Sequence, residues 1–416
     1  TATYSRYRFG VFADQSESVT TSGGTQTDYY QTAYVSGIQD FALKADFDFI
    51  PSPDHYIRFG IQAIDHLFTP GVLSLRSNEV SDTTLGATRT YAQEYFAYAE
   101  DDFRVTDRLK INAGVHASGF YVNDKFYHSF QPRLSARYLL SRELSLKASY
   151  AQMAQYIHLL SNVGIGLPTD LWVPSTASVR PEHSYISSMG LAYNLNNTYE
   201  ITLEGYYKKM QGLIEYKEGA NYLNIEGDWQ DKVETGSGES YGSEIFFQKK
   251  TGKLNGWVGY TLSWTNRTFP NINFGQTFPY RYDRRHDVEI TAAYDWRPNR
   301  KFGLTWVYGT GAAVTLPQSS YAQYSDQPYY GFGNGIQYYD GRNSYRMRAY
   351  HRLDLSYTTT KKTKWGERSW VIGAYNVYSR RNPFFLDITY DEEGNKRFVQ
   401  YSLFPFIPSI AYRFTF

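Results

Sequence analysis

The chain of 416 residues contains no cysteine, which excludes a disulfide scaffold and thiolate metal sites. Charge of one sign is also lacking. The 42 Lys and Arg nearly balance the 41 Asp and Glu, for a net charge of +1, so there is no electrostatic case for nucleic acid. No run of about 18 apolar residues occurs, which excludes a helical membrane protein, and the mean hydropathy is −0.53. A β-barrel passes the same test, because only every second residue of a spanning strand must be apolar. Nor does a cleavable leader open the chain, as an exported barrel requires. The expectation is therefore either a mature chain or one whose beginning lies elsewhere.

What the chain has in excess is aromatic side chains, 18% of all residues, with 41 tyrosines. Tyr and Trp favour membrane–water interfaces, where the ring is half dry and the polar tip stays wet. They fall into a period-two pattern. At the end of the chain Phe406, Pro408, Ile410, Tyr412, Phe414 and Phe416 alternate with Ser409, Ala411, Arg413 and Thr415. That alternation marks a strand between two different solvents. Such a strand exposed in water is a sticky edge; in a membrane barrel it turns its rings to lipid.

The same alternation recurs along the chain. Phe41, Leu43, Ala45, Phe47 and Phe49 form one face, and Ile57, Phe59, Ile61 and Ala63 follow after a Pro51-Ser52-Pro53-Asp54 turn. Tyr199, Ile201, Leu203, Gly205 and Tyr207 oppose Glu200, Thr202, Glu204, Tyr206 and Lys208. Strands over residues 184–195 and 199–216 are expected to join at Asn196-Asn197. Val288, Ile290, Ala292, Tyr294 and Trp296 oppose Glu289, Thr291 and Asp295. Loops are expected at residues 71–90, 160–183 and 317–348. The pattern reads as about sixteen strands in which short turns and long loops alternate strictly, the signature of outer-membrane barrels. The polar face carries Arg133, Arg137, Lys147, Glu200, Glu204, Glu289, Asp295, Arg352 and Asp354, which suits a wide aqueous lumen. The fold class expected is all-β, a transmembrane antiparallel β-barrel.

Nothing points to catalysis or a resident cofactor. His158, His183, His286 and His351 have no metal-ligand spacing. Asp391-Glu392-Glu393-Gly394-Asn395 lacks the alternating ligands of a calcium loop and reads as a solvated turn. Ligand contact belongs to the long loops. Tyr321, Tyr324, Tyr329, Tyr330, Phe332, Tyr338 and Tyr339 share one Gly-rich segment, with Asp326, Asn334 and Asp340 between them. Rigid rings interleaved with polar groups suit sugar or aromatic ligands; packing of the rings on their neighbours is the competing reading. Trp172, Arg180 and Trp229 are further candidates of the same kind.

Several segments resemble TonB-dependent outer-membrane receptors, above all the branch with a carboxypeptidase-regulatory-like domain ahead of the plug. They are Glu94 to Arg104 with the Arg108 to Ser118 segment, Gln131-Pro132-Arg133-Leu134-Ser135-Ala136-Arg137-Tyr138 with Leu146-Lys147-Ala148-Ser149-Tyr150, and Asp170-Leu171-Trp172-Val173-Pro174 with Arg180-Pro181-Glu182-His183-Ser184. The terminal Tyr412-Arg413-Phe414-Thr415-Phe416 fits as well. The resemblance implies active import across the bacterial outer membrane. Loops capture a scarce nutrient such as a siderophore, glycan or peptide, and the TonB complex acts through an N-terminal plug. It also implies about twenty-two strands, so residues 1–416 are expected to be the C-terminal barrel portion, without plug. The partners implied are the remaining barrel strands, the plug, the lipid bilayer with its lipopolysaccharide, and the nutrient. A passive sixteen-stranded porin is the alternative, and a soluble aromatic-rich carbohydrate-binding protein a more distant one.

Overall fold

Alternating apolar and polar residues make each strand two-faced, and pairing with a neighbour satisfies its backbone polar groups. In the computed structural model this is the whole architecture. It describes residues 1–21, 24–77, 83–86, 89–161, 170–220, 228–321, 336–391, 393 and 396–416. One sheet of eighteen strands dominates. Two of these are short, Thr83–Gly86 and Phe278–Pro279.

The remaining strands run in chain order. They begin with β1 (Ala2–Thr21), β2 (Gly24–Ser52), β3 (His55–Ser77), β4 (Thr90–Arg104) and β5 (Leu109–Val122). Next come β6 (Lys125–Leu139), β7 (Leu144–Gln155), β8 (Glu182–Leu195), β9 (Tyr199–Tyr216) and β10 (Val233–Lys249). The series closes with β11 (Leu254–Thr268), β12 (His286–Arg297), β13 (Arg300–Gly309), β14 (Tyr350–Thr363), β15 (Gly366–Tyr375) and β16 (Ile407–Thr415). Each pairs antiparallel with the next, a continuous meander. Among the described residues β1 pairs with β2 alone and β16 with β15 alone. The Thr1–Lys44 hydrogen bonds end the β1–β2 ladder, so residues 45–52 of β2 pair with β3 alone.

The register shows how the sheet is sheared. Residues directly opposite one another share a face. One apolar row runs Leu109, Tyr138, Leu146, Leu191, Leu203 and Ile245, then Tyr260, Val288, Tyr308 and His351. It starts beside a short turn and ends beside a long loop, so the strands are tilted as in a barrel wall. The neighbouring polar row runs Lys110, Arg137, Lys147, Gly190, Glu204 and Glu244. The apolar face is open to its surroundings: Leu203, Ile372 and Ile410 are exposed.

Most expected turns are where the sequence placed them. Asn196, Asn197 and Thr198 join β8 to β9, the two asparagines with φ of 51° and 54°, left-handed values that Asn tolerates. Three expectations need correction. Short turns and long loops do not alternate strictly, because on the long-loop side β5 and β6 meet through Asn123 and Asp124, with φ of 44° and 59°. Asn and Asp tolerate that conformation through local hydrogen bonding of a short polar side chain. The segment expected as a loop from residue 71 continues β3 to Ser77, because residues 72–77 extend the ladder with residues 30–35 of β2. The polar segment before β16 contains a further hairpin, Pro383–Tyr390 with Lys396–Ser402. On β1 the two faces are mixed: Phe9 and Val11 pack against the loop core, and Arg6 and Arg8 share the opposite face with the exposed Tyr4 and Phe12.

Candidate functional site

The long-loop end of the sheet is where buried side chains concentrate. The segment between β7 and β8 forms a hairpin, Ile157–Ser161 paired with Asp170–Pro174. Its Leu160, Leu171 and Val173 pack on Tyr34 of β2, Ile214 and Tyr216 of β9, and Trp229. Seen along the sheet, β2 and β9 are far apart, so this one hairpin ties distant parts of the wall together. Beside it Phe68, Phe120 and Tyr156 form a second cluster, with Phe120 and Tyr156 stacked at 5.0 Å. The Tyr156 hydroxyl meets Ser118 at 2.8 Å, and Gln131 donates to the same serine at 2.8 Å. His158 is buried, with one ring nitrogen 3.0 Å from Glu182 and the other 3.0 Å from Ser175. Both nitrogens are therefore occupied by protein groups.

A charged network fastens three loops together. Glu215, at the end of β9, is buried and pairs with Arg267 of β11 at 3.1 Å and Arg342 at 3.4 Å. Arg342 also reaches Glu218 at 3.3 Å, and its backbone N–H donates to Asn273 at 3.0 Å. The Arg267 guanidinium stacks over Tyr280, 3.5 Å from the ring centre. Asp283 is enclosed by Arg346 and by Arg285. Tyr282 donates to Asp170 at 2.5 Å; burial first, and then that carboxylate, push its phenol well above the ordinary range. These groups were not singled out from the sequence, because loop residues follow no period that would betray their burial.

The aromatic candidates divide. Tyr338 and Tyr339 belong to the Pro317–Tyr321 and Ile336–Tyr339 hairpin, and their side chains are 51% and 46% exposed. The backbone of Tyr321 pairs there with Ile336. Tyr324, Tyr329, Tyr330 and Phe332 lie outside the described residues. Trp172 is half-buried on the hairpin after β7, opposite Leu159, and Arg180 is exposed just before β8. Trp229 is only 8% exposed and forms part of the loop core. So Tyr338, Tyr339 and Arg180 are presented to solvent, whereas Trp229 holds the loops together. Among the described residues no group of three or more His, Cys, Asp or Glu is placed to hold a metal ion.

The sheet thus combines long tilted strands, an open apolar face and a packed cluster of loops at one end. The family model for the TonB dependent receptor-like β-barrel matches residues 1–402. The chain belongs to the TonB-dependent receptor β-barrel family. Members of this family are proteins of the bacterial outer membrane. Among solved structures the chain is similar to the ferric yersiniabactin uptake receptor FyuA from Yersinia pestis, with a TM-score of 0.59 at 14% identity, over 99% of this chain and 59% of that one. It is similar as well to the ferripyoverdine receptor of the outer membrane of Pseudomonas aeruginosa, with a TM-score of 0.57 at 12% identity, covering 99% and 54%. The ferric citrate transporter FecA in its unliganded form gives a TM-score of 0.55 at 11% identity, covering 99% and 58%. The chain thus spans little more than half the length of these receptors. No curated protein matches it.

Proposed function

We propose that the chain forms most of the barrel wall of a TonB-dependent importer, the C-terminal part of a receptor of about twenty-two strands with a plug. Its loops bind a scarce nutrient, of the siderophore, glycan or peptide class, before inward release. The observation that carries this reading is the unpaired state of both outer edges. In hydrocarbon every backbone polar group must be satisfied, yet among the described residues β1 pairs only with β2 and β16 only with β15. Further strands between β16 and β1 satisfy both edges. The motif order also favours the branch with a carboxypeptidase-regulatory-like domain before the plug. The capture surface consists of Tyr338, Tyr339, Trp172 and Arg180, joined by Tyr321, Tyr324, Tyr329, Tyr330 and Phe332 of the same Gly-rich segment.

Reconstitution of residues 1–416 in liposomes tests this. The chain alone should give no heat-modifiable closed barrel, and should give one when co-expressed with the strands that precede it in a complete receptor. A monomeric, conducting barrel from these residues alone overturns the reading in favour of the sixteen-stranded porin.

A further inference from the structure

At the short-turn end the apolar face of β12–β16 changes character. Trp296, Trp370 and Tyr412 are exposed there, and the Trp370 and Tyr412 rings lie 4.8 Å apart. One residue pair nearer the rim the same face becomes basic. Lys361 of β14 stands directly opposite Arg368 of β15, and Arg368 opposite Phe414. The turn between β14 and β15 adds Lys364 and Trp365, the latter 83% exposed. Within residues 361–368 four cations face one carboxylate, Glu367, which stands opposite Lys362. Among the described residues Lys361, Lys364 and Arg368 have no ion-pair partner. On the adjoining turn Arg297 and Arg300 lie over the Trp296 ring, at 4.8 and 5.5 Å.

Like charges directly opposite one another on a sheet are destabilising, so the Lys361–Arg368 pair works against the fold unless something outside it supplies negative charge. Indole rings place this level of the wall at the membrane–water interface. Lys and Arg stems reach from there into the headgroup layer. We propose that the short-turn rim of β12–β16, around Lys361, Lys364, Trp365 and Arg368, is a binding site for anionic phospholipid in the leaflet that it faces. The phosphate of a lipid such as phosphatidylglycerol lies between Lys361 and Arg368, and its acyl chains lie along Trp370, Ile372 and Tyr412. Short turns are periplasmic in outer-membrane barrels, so the site selects lipid of the inner leaflet. It rests on the membrane-barrel reading and not on the identity of the nutrient.

The test uses the full-length receptor in detergent, offered equal amounts of phosphatidylglycerol and phosphatidylcholine, with retained lipid counted by native mass spectrometry. Phosphatidylglycerol should be retained in preference. The triple variant Lys361→Gln, Lys364→Gln, Arg368→Gln should lose about tenfold or more of that retention, since each cation near an anionic surface contributes several-fold to binding. Lys209→Gln, on the same face toward the long-loop end, should lose none. Should the triple variant fail to fold, Lys364→Gln alone, in the turn, should still lose about fivefold. Inorganic phosphate in excess should leave the lipid in place. Equal retention of the two lipids, undiminished phosphatidylglycerol in the folded variant, or its displacement by free phosphate overturns the proposal.

Discussion

The sharpest test of which face meets lipid is a pair of adjacent residues, Leu203 and Glu204. Leu203 lies on β9 opposite Leu191 and Ile245, with its side chain 48% exposed on the apolar face. It is four residues beyond Tyr199, the first residue of the strand. At about 3.3 Å per residue and a tilt of about 40°, that is about 10 Å above the start of the strand, near the middle of an apolar band about 25 Å tall. Leu203→Arg should therefore cost about 2–4 kcal/mol, the penalty for a cation at the bilayer midplane. Glu204 points the other way and stands directly opposite Glu244 and Gly190. Glu204→Arg replaces a like-charge pair with an opposite-charge pair, and cross-strand pairs of this kind are worth about 0.2–1 kcal/mol. It should be neutral or slightly stabilising. Equilibrium refolding of the protein in lipid, with denaturant, measures both. Equal penalties for the two variants refute the assignment of faces.

Three further outcomes are expected. Deleting residues 414–416 removes the pairing of Phe414 with Arg368 and of Thr415 with Glu367 and should block membrane insertion, seen as loss from the membrane fraction; normal insertion contradicts this. Arg342→Met leaves the buried Glu215 with Arg267 alone; removing one partner of a buried ion pair costs about 3–5 kcal/mol, so the long loops should become sensitive to protease while the sheet does not, and unchanged digestion removes the clamp. Replacing Tyr338 and Tyr339 by Ala should weaken nutrient binding without unfolding the barrel; unchanged affinity returns these rings to a packing role.

Much of the wall was legible because a strand between two solvents must write its faces into every second residue. Ile201 and Leu203, like Val288 and Ile290, could each be assigned to an apolar face from their neighbours alone. The Asn196-Asn197 turn was equally plain, since few residues tolerate two successive positive φ angles. The mouth was not legible. Trp172 and Trp229 look alike in sequence, yet one is half-buried on a hairpin and the other sits in the loop core. Burial in a loop depends on which distant segment folds over it, and no local period records that. The same holds for Glu215, whose partners Arg267 and Arg342 are remote in the chain.

By itself, then, the sequence determined most strands of the wall, their two faces and the family, because each of these follows from local alternation or from segment order. Tertiary structure alone decided the register that shears Leu109 into line with His351, and the continuation of β3 past Gly71. It decided too the pairing of Ile157–Ser161 with Asp170–Pro174, and which strands stand at the two edges of the sheet among the described residues, β1 and β16. These depend on pairing between strands, where a one-residue slip would turn every side chain to the wrong face. That choice is made by the whole sheet at once and by no single stretch of it.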